Sequence, residues 1–265
     1  MKKTISLSAV LILICTLYSC NLFSSAGFGS NGPIKKVESG GMTYINSPEI
    51  IDHSEWDRLL KMHVNNKGNV DYRNFQKDSS ALNSYLRMLS ENPPNKDGNV
   101  QEKLAYYINL YNAGTVKLIL ENYPLKSIKD INRPWSKARL QVGNDRISLG
   151  EIENGILRKM NEPRIHFAIN CASFSCPKLM REAFIASKIE EQLERATKEF
   201  INSDKNELSN SALQLSSIFD WYKKDFKVDG KTDVIGFINQ YSQVKIDHSA
   251  KISYKNYNWS LNEIN

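Results

Sequence analysis

The sequence predicts an α+β fold: a mainly helical single domain with a small sheet, occupying residues 52–265. Three observations lead there. Apolar residues recur at intervals of three and four through several segments longer than ten residues. Strand-like patterning is confined to short pieces, a hairpin around Gly143-Asn144 and stretches of the tail. The chain has 265 residues, 41% hydrophobic and 24% charged, which is ordinary globular composition and long enough to bury a sizeable core. No internal repeat is visible.

The elements follow in order. Residues 54–64 place Trp56, Leu59, Leu60 and His63 on one helical face. Gly68-Asn69 turns the chain into Val70-Asp71-Tyr72. Residues 79–91 carry the stripe Leu82, Tyr85, Leu86, Leu89, closed by Pro93-Pro94. The longest helix, 101–122, has a broad apolar surface (Leu104, Ala105, Ile108, Tyr111, Val116, Ile119, Leu120), which places it in the core; Pro124 ends it. Residues 139–148 read as a hairpin. Ser148 and Glu151 fit a capping box opening a helix over 149–160. Residues 164–171 alternate as a strand. Helices are expected over 187–202, 216–224 and 232–241, and short extended pieces over 245–261.

Residues 1–51 are of another kind. Lys2 and Lys3 precede the apolar run Ile5–Leu17, the length of a signal h-region and too short for a stable transmembrane helix. The run ends Leu17-Tyr18-Ser19-Cys20, which resembles the lipobox of bacterial lipoproteins. That resemblance implies a signal at 1–19, cleavage before Cys20, and acylation of its thiol and new amine. Each buried methylene then adds roughly 0.8 kcal/mol to membrane anchoring. Residues 20–51, rich in Ser, Gly and Asn, read as a tether. The expected partner is thus the lipid bilayer, through Cys20. Asn21 is not the Asp that favours inner-membrane retention in some bacteria, so the expected location is the outer membrane, facing the periplasm.

The net charge of +6 is evenly scattered, and no Lys/Arg block interleaves with aromatics. Nucleic acid is therefore not an expected partner. Of four cysteines, Cys15 leaves with the signal and Cys20 is acylated. Cys171 and Cys176 remain, and outside the cytoplasm two thiols this close are a disulfide candidate. A loop that short is worth roughly 2 kcal/mol. Two Cys and one His fall short of the four ligands of a structural zinc, so no metal is expected, nor any cofactor.

Several strings resemble the bacterial and plant domain-of-unknown-function family 547. They are Gly68-Asn69-Val70-Asp71-Tyr72, Tyr107–Ala113, Ile152-Glu153-Asn154 with Ile156-Leu157-Arg158, and Pro163–Ser173 followed by Cys176-Pro177. Trp221-Tyr222 with Asp225-Phe226 complete the set, in the family's order. The resemblance implies a domain, not an activity. Where the family commonly reads Ile-Glu-His, this chain has Asn154.

On the strand reading, Arg164, His166, Ala168 and Asn170 share a polar face, with Ile165, Phe167, Ile169 and Cys171 opposite. A cation, an imidazole and an amide around a small residue would suit a pocket for a small polar ligand or peptide. Asn109 and Asn112, one turn apart on the apolar helix, either anchor the neighbouring strand or present amides to the same ligand. Glu153 is positioned to pair with Arg164 or to orient His166. The tryptophans and the many tyrosines are read as core and pocket wall. Two functions are open. One is a binding or scaffold domain with a polar pocket around His166, with the cysteines at its rim. The other is a Cys–His hydrolase or transferase, papain- or transglutaminase-like, using His166 with Cys171 or Cys176 on envelope peptides. An ideal strand points His166 and Cys171 to opposite faces, so that dyad needs a turn at Asn170 or Cys176 folding back.

Overall fold

The computed structural model describes residues 51–95 and 99–264. The signal, Cys20 and nearly all of the tether lie outside the described residues. The architecture is mainly helical α+β, as the sequence predicts. In chain order the helices and strands are α1 (Ser54–His63), α2 (Tyr72–Phe75), α3 (Ser79–Glu91), α4 (Val100–Leu120), β1 (Leu140–Val142) and β2 (Asp145–Ile147). Then come α5 (Ile165–Ala168), α6 (Ile189–Ile201), β3 (Glu207–Leu208), β4 (Ala212–Leu215) and α7 (Ile218–Trp221). The last are β5 (Lys227–Val228), β6 (Lys231–Thr232), α8 (Val234–Asn239) and β7 (Lys251–Tyr254).

The apolar stripes explain the helical part. Helix α4 is apolar almost all round, and its residues from Leu104 to Val116 are buried except Tyr107. Helices α1 and α3 turn their stripes toward it, and the β1–β2 hairpin covers its flank. Together they form a first core with Trp56, Tyr72 and Tyr106 fully enclosed. Asn99 caps α4 by accepting from the Gln101 amide at 2.8 Å. Gly68, at φ +80°, is required twice over: a Cβ there would also meet Lys178 Cα at 2.7 Å.

A second core gathers around α6, α7 and α8. Phe167, Phe200, Phe219, Phe226 and Phe237 form its aromatic centre. Beside it, β4 pairs antiparallel with β3 and parallel with β7. The two cores meet at α5, where Ile165 and Ala168 belong to the first and Phe167 to the second. The tail then returns across the first core: Asn262 accepts from the Tyr72 hydroxyl at 2.7 Å and Val70 bridges Glu263.

Two expectations are corrected. Residues 164–171 are not a strand. Pro163 sets a helical φ, and the amides of Ile165, His166 and Phe167 bond back three residues to Glu162, Pro163 and Arg164. One turn of helix results, followed by an extended Ile169 and a left-handed Ala172 at φ +57°. Alternation reports faces only where one side meets water. Here every residue from Arg164 to Asn170 is buried, so the pattern carries no such meaning. The supposed polar row is therefore dispersed. Second, the expected 149–160 helix is a π-helical Glu151–Ile156 running into a 3-10 turn Leu157–Met160. The Ser148–Glu151 box does open it: each backbone amide donates to the other's side chain, at 2.7 and 3.2 Å. The segments read as 216–224 and 232–241 shorten to α7 and α8.

Candidate functional site: an aromatic-walled cleft over two thiols

A cleft of about 660 Å³ opens between the first core and the tail. Its wall comes from three places. Trp135 belongs to the loop before β1, Trp221 and Tyr222 to the end of α7, and Tyr257 and Trp259 to the tail. The rings support one another: Trp221 stacks on Trp259 at 5.9 Å, and Tyr257 lies 4.5 Å from Trp259. Exposed Lys129 and Arg133 stand at the mouth, Lys129 over the Trp259 ring at 5.2 Å. The floor is polar, with Glu153, His166, Cys171 and Cys176.

His166 comes from α5, its side chain only 1% exposed. Its Nε2 lies 2.9 Å from Asp225 Oδ2, and its ring stacks on Tyr222 at 4.0 Å. Arg158 donates to both oxygens of Asp225, at 2.7 and 3.1 Å. Burial opposes the charge on Asp225, yet the hydrogen bonds from His166 and Arg158 outweigh it and bring its pKa down to about 2. Arg158 also donates to Asn154 Oδ1 at 2.8 Å, so the residue standing where the family reads His helps to orient the guanidinium. Glu153 accepts from the hydroxyls of Tyr222 and Tyr111.

The two cysteine Sγ atoms face each other 2.9 Å apart, with no bond between them. Cys171 is half-buried at the cleft surface and Cys176 buried behind it. Around Cys171 Sγ stand Cys176 Sγ, Ser173 Oγ at 3.1 Å and Tyr257 Oη at 3.3 Å. The Cys176 thiol first, then Ser173 and Tyr257, hydrogen-bond the Cys171 sulfur and lower its pKa against the effect of burial. Burial pushes the Cys176 thiol well up.

Of the residues singled out in the sequence, Glu153, His166, Cys171 and Cys176 meet in this cleft. The others serve the framework. Asn109 donates to the Phe184 carbonyl at 2.7 Å and accepts from its amide at 3.0 Å. Asn112 does the same for the Ala168 carbonyl and the Asn170 amide, at 3.0 and 2.8 Å. Arg164 is buried between Glu162 and Glu190, tying α5 to α6. Asn170 donates to the Pro177 carbonyl and accepts from the Ala172 amide, shaping the cysteine loop. Glu153 pairs with tyrosines rather than with Arg164 or His166. The carboxylate that holds His166 is Asp225, to which the sequence reading gave no role, whereas Tyr222 and Tyr257 were expected only in general terms, as core or pocket wall. Asp225 and Tyr222 stood in the family-like strings; Tyr257 had no signal beyond its aromatic neighbour Trp259. Among the described residues no group of three or more His, Cys, Asp or Glu is placed to hold a metal ion.

Residues 96–201 match the family model described as "Protein of unknown function, DUF547". That span contains α4 and the floor residues Glu153, His166, Cys171 and Cys176, and ends before Tyr222 and Asp225. No curated protein and no solved structure matches the chain.

Proposed function

We propose that this relative of a family of unknown function is a cell-envelope lipoprotein whose cleft binds a small polar ligand or peptide. One observation carries the reading. Three of the chain's four tryptophans, with Tyr222 and Tyr257, converge from separate elements on one cavity with a polar floor. Aromatic faces supply contact area at low entropic cost, and a few placed polar groups fix orientation. Lys129 and Arg133 at the mouth suit an anionic group such as a peptide carboxylate. Attachment through Cys20 would hold the cleft near the cell wall.

The test uses the full-length protein in detergent and soluble peptidoglycan fragments carrying their stem peptides. Calorimetry should show saturable binding, weakened about tenfold or more by Trp259→Ala, a loss of at least about 1.4 kcal/mol. No saturable heat, or equal heat from the variant, would overturn the reading.

A second reading, a Cys–His hydrolase or transferase acting on envelope peptides, is favoured by one feature. His166, its Nε2 held by Asp225, lines the same cleft as Cys171. It demands turnover of such peptides that Cys171→Ser abolishes and Cys176→Ser leaves intact.

A further inference from the structure

We propose that Cys171 and Cys176 are a thiol–disulfide exchange pair, in which Cys171 attacks a small disulfide entering the cleft and Cys176 resolves the adduct. The inference goes beyond ligand binding and does not depend on which ligand the cleft holds. It rests on how the loop Asn170–Cys176 is built. Left-handed Ala172 reverses the chain, and Asn170 fixes the reversal through the Ala172 amide. The Cys171 amide then points at Cys176 Sγ, 2.9 Å away, and the sulfurs meet at the same distance. The tail clamps the loop from outside: the amides of Phe174 and Ser175 donate to the carbonyls of Ser260 and Asn258. The contact is therefore prepared by the backbone and is not an accident of two rotamers.

The pair is also asymmetric in the way exchange requires. Both sulfurs border a cavity of about 660 Å³, but Cys171 is the more exposed and Cys176 is buried. The hydroxyls of Ser173 and Tyr257 stand within hydrogen-bond distance of Cys171 Sγ. Cys176 accepts the Cys171 amide and is only 7% exposed. The attacking sulfur needs thiolate character and access; the resolving sulfur needs only proximity.

The chemistry balances. The Cys171 thiolate forms a bond to one sulfur of RSSR, and RS⁻ leaves, taking a proton from water. Cys176 then bonds to Cys171 Sγ; its proton departs with the second RS group as RSH. The protein dithiol loses two electrons and the small disulfide gains them. An external dithiol, attacking the protein disulfide, reverses the sequence. The disulfide expected from the sequence and the dithiol are the two ends of this cycle.

Glutathione disulfide is the probe, on the full-length protein, with peptide-level mass mapping so that Cys15 and Cys20 do not confound. Wild type should pass to the internal disulfide and be re-reduced by dithiothreitol under native conditions. Cys176→Ser should accumulate a stable glutathione adduct on Cys171. Cys171→Ser should form an adduct on Cys176 at least about tenfold more slowly. Equal rates at the two sulfurs, an adduct on wild-type Cys171 that does not resolve, or a disulfide reducible only after denaturation would each overturn the proposal. Should either variant fail to fold by circular dichroism, wild type alone decides. Iodoacetamide should then label Cys171 about tenfold faster than Cys176 between pH 6 and 8, and equal labelling overturns the proposal. Peptidoglycan binding is read separately by calorimetry, so either result stands without the other.

Discussion

Two buried groups contribute most plainly to the response of this protein to acid. His53 packs against Tyr85, 2.7 Å from its hydroxyl, and burial lowers its pKa from 6.5 to about 4. Between those values the unfolded chain binds a proton that the folded one refuses, so stability is full above pH 6.5 and falls as pH drops toward 4. The loss is on the order of 3 kcal/mol. Asp225 adds a second step. Its pKa falls from 3.8 to about 2, so its contribution, on the order of 2 kcal/mol, is present above pH 4 and lost between about 4 and 2. Denaturant titrations across pH should show both phases, with His53→Gln flattening the first and leaving the second. A single unchanged phase in that variant would refute the assignment. Asp225→Asn at neutral pH should cost about 3–5 kcal/mol, because Arg158 and His166 lose the carboxylate they share. Residue identities were legible in the sequence; partnerships were not. His166 stood out on an expected polar face, and Glu153 as a carboxylate near enough in sequence to orient it. Asp225 lies 59 residues beyond His166, and no local periodicity links such a pair.

At the scale of elements, propensity and patterning succeeded where one face meets solvent. Helix α3 runs Ser79–Glu91, the range its stripe and the following prolines predict, and the hairpin pairs Val142 with Asp145 around Gly143-Asn144. Patterning failed for 164–171, where burial is complete from Arg164 to Asn170 and Pro163 and the Glu162–Arg164 pair decide the backbone. The Asn112 amide shows what holds that segment in place. Asn112→Ala strands the Ala168 carbonyl and the Asn170 amide inside the core, which should cost about 2–4 kcal/mol, one to three for each orphaned group less partial relaxation. Ile108→Ala in the middle of α4 should cost about 2–5 kcal/mol through the cavity it leaves. Ile169→Ala should fall at the lower end of that range, since Ile169 borders the cleft and water can enter the space. Chemical denaturation of the three variants gives the order; a larger loss for Ile169→Ala than for Ile108→Ala would contradict the placement of the cleft.

The whole molecule joins two cores through the turn of α5 and the length of α6, with the cleft beside the junction and the tail along its wall. Composition and helical periodicity foretold a mainly helical α+β chain. They did not foretell that tail residues complete the site, because Tyr257 and Trp259 reach it through contacts spanning more than 80 residues. Cys20 is expected to tie this assembly to a bilayer: Cys20→Ser should yield soluble protein or unprocessed precursor in detergent partitioning, and a processed, membrane-retained product would defeat the lipobox reading. The late arrival of Tyr257 has a consequence for the nascent chain. Synthesis proceeds from Cys171 to Tyr257 through 86 residues, which takes on the order of ten seconds. Throughout that interval the pair of thiols exists without its phenol and without the strands of tail that clamp its loop. The unfolded chain thus passes through a period in which its sulfurs are open to stray oxidants and foreign cysteines, a window that closes only when the last aromatic residues fold against the loop.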